Sequence, residues 1–71
     1  MQATATVPET LKLLRQDHEL SQQNVAMLLK YRYDIGLARQ SISHYETGRR
    51  NPPTATYLAL MDLYGNRPRS N

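Results

Sequence analysis

The stretch from Ser21 to Pro53 constrains the fold more than any other part of the chain. It contains two segments with helical apolar spacing, the first opening after Ser21 and the second stopping at Gly48. Glycine favours the left-handed conformation in which helices commonly end, and the prolines after it prevent regular helix from continuing. A basic turn, GRRNPP, therefore follows the second helix.

Two further helices are predicted on either side of this stretch. Thr6 and Glu9 have the spacing of a capping box, so we expect the first helix to begin here and to run to about Asp17. After the basic turn, helix restarts near Thr54 and continues through an apolar segment to Gly65. No strand-like alternation and no repeat occurs in the sequence, which favours an all-α fold.

The predicted organisation is a compact four-helix domain over residues 6–65. Residues 1–5 are expected to form a flexible N-terminus and residues 66–71 a flexible basic tail. No clear fifth helix is predicted after the fourth.

The joint between the second and third helices is longer than a simple turn. Residues Lys30 to Ala38 intervene, and two interpretations are open. Either the second helix continues for another turn through Tyr33, or the third helix begins early with Asp34 as its N-cap. Alanine is a poor N-cap, so the residue before the third helix favours the Asp34 interpretation.

Composition excludes several classes of protein. A chain of 71 residues has little room for an enclosed active site, and it carries no catalytic triad, carboxylate pair or glycine-rich phosphate loop. It has no cysteine and only two isolated histidines, so we expect no enzyme activity, no metal and no cofactor. No apolar run has the length of a membrane span and no signal peptide is recognisable, so a cytoplasmic location is expected.

Positive charge is concentrated where the two central helices and the turn lie. The chain has a net charge of +3, and between Lys30 and Arg50 five basic residues accompany two acidic ones. A polyanion is expected to dock on this part of the chain.

Three pieces of sequence, LKLLRQDHELSQ, QSISHYETG and GRRNPP, occur in a characteristic order. In this order they resemble the lambda-repressor-like (Xre/Cro-type) helix-turn-helix family over about Leu11 to Gly65. The resemblance implies a sequence-specific regulator of transcription that binds double-stranded DNA. With no effector domain in the sequence, repression by blocking a promoter is the expected outcome, and activation is the alternative. The resemblance also implies that a dimer binds a two-fold operator, with one recognition helix of each copy in the major groove.

The third helix is the expected recognition helix. Ile42 and Tyr45 form its inward stripe, and the opposite side carries hydrogen-bonding groups. Arginine can form two hydrogen bonds with guanine, and glutamine can form two with adenine. The residues expected to read bases are Arg39, Gln40, Ser43 and His44.

A second group of residues is expected to bind DNA phosphates. The resemblance implies that Gln22 and the adjacent helix N-terminus hold one phosphate, as helix N-termini favour anions. It also implies that the basic turn clamps another, which fixes the register without reading the sequence. The predicted phosphate-binding residues are Ser21, Gln22, Lys30, Arg32, Ser41, Arg49, Arg50 and Asn51.

The resemblance also pairs Arg15 with Glu46. This ion pair would link the first helix to the third and would be architectural. Without such a partner, Glu46 would place a negative charge close to the phosphates.

The fourth helix is apolar around nearly its whole axis, which is more than a domain of this size is expected to cover. We therefore expect a homodimer through this helix, with Leu58, Met61 and Leu63 at the interface. An alternative function is that of an antitoxin, which binds a toxin as its protein partner and represses its own operon.

Overall fold

The structure is a computed structural model and describes residues 5–65 of the chain. Its elements are α1 (Val7–Asp17), α2 (Gln22–Tyr33), α3 (Arg39–Thr47) and α4 (Thr54–Gly65). The described residues include four helices and no strand, which confirms the all-α prediction. Of the segments predicted to be flexible, 66–71 and all of 1–5 except Ala5 lie outside the described residues.

The first two helices begin with reciprocal side-chain caps. The Thr6 hydroxyl accepts a hydrogen bond from the Glu9 amide at 3.3 Å, and the Glu9 carboxylate accepts one from the Thr6 amide at 3.0 Å. Ser21 and Asn24 make the equivalent pair of bonds at 2.9 and 3.1 Å. These bonds satisfy amide groups that the helices leave unpaired, and they fix where α1 and α2 start.

The structure of the joint between α2 and α3 decides between the two interpretations of residues Lys30 to Ala38. α2 continues to Tyr33, and Asp34 ends it in the left-handed conformation with φ 58° and ψ 34°. The amide of Ile35 donates to the carbonyl of Leu29 at 3.1 Å, which closes the helix end. The favoured prediction that Asp34 caps the third helix is therefore wrong, because its backbone is committed to ending the second.

α3 begins without a side-chain cap. Ala38 precedes it in an extended conformation, and no side chain there accepts a bond from the helix amides. The helix is nine residues long and ends at Gly48 with φ 80°. Its stability therefore comes from packing, chiefly through the buried Ile42 and Tyr45, the pair expected to point inward.

The core draws on all four helices. Its members are buried apolar residues that form one contiguous cluster: Leu11, Val25, Ala26, Leu29, Ile42, Tyr45, Ala59, Leu60, Leu63 and Tyr64. Leu20, Ile35 and Leu37, from the connections, pack against this cluster. The long joint is thus held down by its own apolar residues and does not loop away from the domain.

α4 is covered by its own domain more completely than expected. Leu63 is 1% exposed and belongs to the core, so it cannot contact a second copy, and its assignment to a dimer interface is wrong. The prediction failed because one side of the helix packs on α1 and α2. Tyr57, Leu58 and Met61 remain on the outer side, and Leu58 is 60% exposed.

None of the helices in residues 5–65 has the length and apolar character that crossing a bilayer requires.

Two glycines provide a matched test of the end of α3. We expect Gly48→Ala to lower the free energy of unfolding by about 1 kcal/mol, because an L side chain is strained at positive φ. A Cβ there would lie 3.7 Å from Pro8 Cγ, so the cost comes from the backbone and not from a clash. Gly36→Ala is the control, since Gly36 has neither a positive φ nor any atom near its Cβ position.

Urea denaturation of both variants measures the difference. Gly36→Ala should leave stability unchanged or raise it by up to about 1 kcal/mol, through a lower entropy of the unfolded chain. An equal loss in the two variants would contradict this account of the helix end.

Candidate nucleic-acid interface

The side of α3 that faces away from the core carries the four residues predicted to read bases. Arg39 and Gln40 are exposed, while Ser43 and His44 are half-buried. Residues three and four apart share one side of a helix, so the structure places these side chains on one continuous face. Ser41, which is half-buried, lies about 60° around the axis from His44 and so borders this face.

A polar cluster joins α3 to the two helices before it. Arg15 Nε donates to Glu46 Oε2 at 2.6 Å, and Arg15 Nη2 donates to Glu46 Oε1 at 3.0 Å. A third guanidinium nitrogen, Nη1, donates to the carbonyl of Leu20 at 2.8 Å. The Glu46 side chain is 3% exposed, so its charge is almost fully removed from water and is balanced by the two-pronged bond to Arg15.

The electrostatics of the cluster favour its charged form. The hydrogen bond to Glu46 raises the pKa of the Arg15 guanidinium above its usual value, so the side chain stays protonated. Burial, followed by the Glu46 carboxylate, raises the pKa of the nearby Tyr64 hydroxyl, which therefore stays neutral. The ion pair is thus the only site of charge among these three groups.

Gln22 belongs to the same cluster. Its side-chain Nε2 donates to Glu46 Oε1 at 3.1 Å, across 24 positions of sequence. This bond fixes the orientation of the carboxamide at the start of α2. This bond could not be predicted from the sequence, because no local pattern relates residues so far apart.

The basic turn is attached directly to the end of α3. The amides of Arg49 and Arg50 donate to the carbonyl of His44 at 3.0 and 3.3 Å. Their side chains and that of Asn51 are exposed. The turn therefore keeps a defined position relative to α3 while its cationic groups remain available to an anion.

Lys30 and Arg32 are both exposed but do not share a surface. They are two residues apart on α2, about 200° around its axis. Lys30 lies on the side of Leu37 and so close to the start of α3, and its contact with Asp34, 3.6 Å long, is open to solvent. Two of the predicted phosphate-binding residues therefore lie on different sides of α2.

The chain matches the model of a known family. A family model described as a helix-turn-helix domain matches residues 9–69. The chain belongs to this family. The match confirms the predicted resemblance to helix-turn-helix proteins and implies a DNA-binding domain. Searches of curated proteins and of solved structures gave no significant match.

The buried cluster leads to a stability prediction. Glu46→Ala should lower the free energy of unfolding by about 3 kcal/mol, because it leaves the Arg15 cation buried without its partner. Lys30→Ala, which breaks the exposed pair with Asp34, should cost no more than about 0.5 kcal/mol. Urea denaturation at neutral pH measures both values, and a loss below about 1 kcal/mol for Glu46→Ala would contradict the central role of this pair.

Proposed function

We propose that the protein is a sequence-specific regulator of transcription that binds double-stranded DNA, and that it acts as a repressor. The observation that carries the proposal is the continuity of two surfaces. The outward polar face of α3 runs into an exposed basic turn, and the turn is bonded to the last residues of α3. One rigid unit thereby presents groups that can read bases beside groups that can bind phosphates.

In this proposal the outward face of α3 enters the major groove. Arg39 and Gln40, at the start of the helix, are the two most exposed members of the face and carry the side chains suited to guanine and adenine. Ser43 and His44 lie one turn further along and contact the neighbouring positions. Occupation of a promoter by such a domain is sufficient to repress it.

The phosphate contacts come from two places on either side of α3. At the start of α2, Ser21 and the oriented carboxamide of Gln22 lie beside free helix amides, which favour an anion. After α3, the exposed side chains of Arg49, Arg50 and Asn51 provide the second clamp. Lys30 can join this set from the side of the joint and Ser41 from the edge of the outward face of α3, whereas Arg32 lies on another side of α2.

The two classes of contact differ in what their loss should do. Arg39→Ala should cost about 1–3 kcal/mol on the best site and relax the preference at one base position. Arg49→Ala should weaken binding to all sequences about equally and reduce the dependence of affinity on salt. Binding of each variant to a randomised-site library, at two salt concentrations, measures both effects. If both variants lost affinity uniformly, the assignment of roles would be wrong.

We further propose that the protein binds a two-fold operator as a dimer through the outer side of α4. Tyr57, Leu58 and Met61 form this side, and its one charged residue, Asp62, accepts a hydrogen bond from the Tyr33 hydroxyl at 2.6 Å. A two-fold interface uses the same patch on both copies, so an apolar patch of this kind is self-complementary.

Leu58→Glu tests the dimer separately from DNA recognition. Two carboxylates would face each other across the axis, so sedimentation should show a monomer. The affinity for a two-fold site should fall at least tenfold, while that for a single half-site is retained. Leu13→Glu, at an exposed leucine of α1, is the control and should leave the mass unchanged. An unchanged mass for Leu58→Glu would remove α4 from the interface.

A further inference from the structure

A hydrogen bond joins the last turn of α2 to the outer side of α4. The Tyr33 hydroxyl donates to Asp62 Oδ2 at 2.6 Å, across 29 positions of sequence. Tyr33 belongs to the extra turn that α2 makes beyond Lys30. Asp62 follows Leu58 by four residues, so it lies on the same side of α4 as the proposed dimer patch. The bond therefore connects the lengthened α2 to the proposed dimer surface.

The chemistry of this bond favours a fixed distance between the two helices. A hydroxyl that donates to a carboxylate forms a short, charge-assisted bond, which is stronger than a bond between neutral groups. Partial burial, followed by the hydrogen bond to Asp62, raises the pKa of the Tyr33 hydroxyl, which therefore keeps its proton at neutral pH. The side chain of Tyr33 also packs against the core, one turn after the buried Leu29. Ring and hydroxyl together hold the end of α2 to α4.

The position of α4 relative to α3 depends on α2. Both α3 and α4 pack chiefly on α1 and α2. At the start of α2, Gln22 donates to Glu46 and so fixes the reading helix. At the end of α2, Tyr33 donates to Asp62 and so fixes the proposed dimer helix. One rigid helix thus carries a directed bond at each end, and the two bonds set the geometry between α3 and α4.

We propose that Tyr33 and Asp62 are positioning residues that set the spacing of the half-sites which the dimer accepts. This inference rests on the proposed binding of a two-fold operator by a dimer through α4. In such a dimer, the distance and angle between the two copies of α3 follow from how each is held relative to its own α4. One extra base pair between half-sites separates them by about 3.4 Å and turns them by roughly 34°. A firmly held α4 therefore makes the dimer discriminate between spacers, the numbers of base pairs between half-sites.

Two tyrosines of α2 provide a matched pair of variants. Tyr33→Phe removes the hydroxyl that bonds to Asp62 and keeps the ring that packs against the core. Tyr31→Phe is the control, because it removes a hydroxyl from a side chain that is 88% exposed. A two-fold site is first selected from random DNA with the unaltered chain. Each protein is then titrated with that site, with sites whose spacer is one or two base pairs shorter or longer, and with a single half-site.

The expected result is a loss of discrimination without a loss of recognition. The unaltered chain and Tyr31→Phe should prefer the selected spacer over its neighbours at least tenfold. Tyr33→Phe should reduce this preference at least threefold, while its affinity for the half-site stays within twofold and its sedimenting mass is unchanged. Asp62→Ala should have the same effect as Tyr33→Phe. The two substitutions together should reduce the preference no further, because each removes the same bond.

The outcomes separate this inference from the proposed function on which it rests. An unchanged spacer preference in Tyr33→Phe, or additive effects of the two substitutions, would overturn the inference and leave the dimer and its operator in place. An equal loss of affinity for the half-site and for the two-fold site would also overturn it, since the defect would then lie within each domain. If the unaltered chain formed no dimer, or selected no two-fold site, the proposed function would fail and the inference with it.

Discussion

The ion pair between Arg15 and Glu46 is the interaction on which the rest of the domain depends. It connects α1 to α3, and the bond from Gln22 extends it to α2, so three helices meet at one buried carboxylate. Apolar contacts in a small core tolerate some sliding and rotation. Four directed hydrogen bonds to Glu46 and Arg15 do not, and they fix how α3 is oriented against α2.

The same cluster connects the core to the proposed DNA surface. The side-chain nitrogen of Gln22 donates to Glu46. Gln22 is also the first residue of α2, so its carboxamide lies close to the amide groups at the helix N-terminus. Glu46, in turn, lies on α3, the helix that also carries Arg39 and Gln40. One buried group therefore positions both the proposed phosphate contact and the proposed base-reading face, although these lie on different helices.

Features set by neighbouring residues could be predicted from the sequence, whereas features set by distant ones could not. The Thr6 and Ser21 caps and the helix end at Gly48 depend on local chemistry and were located correctly. The prediction for the joint failed because aspartate suits both an N-cap and a left-handed helix end. Only the packing of Ile35 and Leu37 on the core decides between these two roles of Asp34.

The candidate site shows the same limit. Periodicity separated the inward pair of α3 from its outward face, but it could not show that Leu63 packs inside or that Gln22 reaches Glu46. Lys30 and Arg32 were both predicted to bind phosphates, although their spacing of two residues on α2 places them on different sides of it. The number of charged residues in a segment does not show which side of a helix each side chain lies on.

The uncapped start of α3 has a thermodynamic consequence. A helix of nine residues without a side-chain cap is marginal in isolation, so the face it presents exists only in the folded domain. A ligand of that face binds only the folded state, and its binding therefore shifts the folding equilibrium toward the folded state. At a free ligand concentration of 100 times Kd the gain is about 2.7 kcal/mol, a large share of what a domain of this size possesses. Its melting temperature is thus a property of the protein together with the concentration of its ligand.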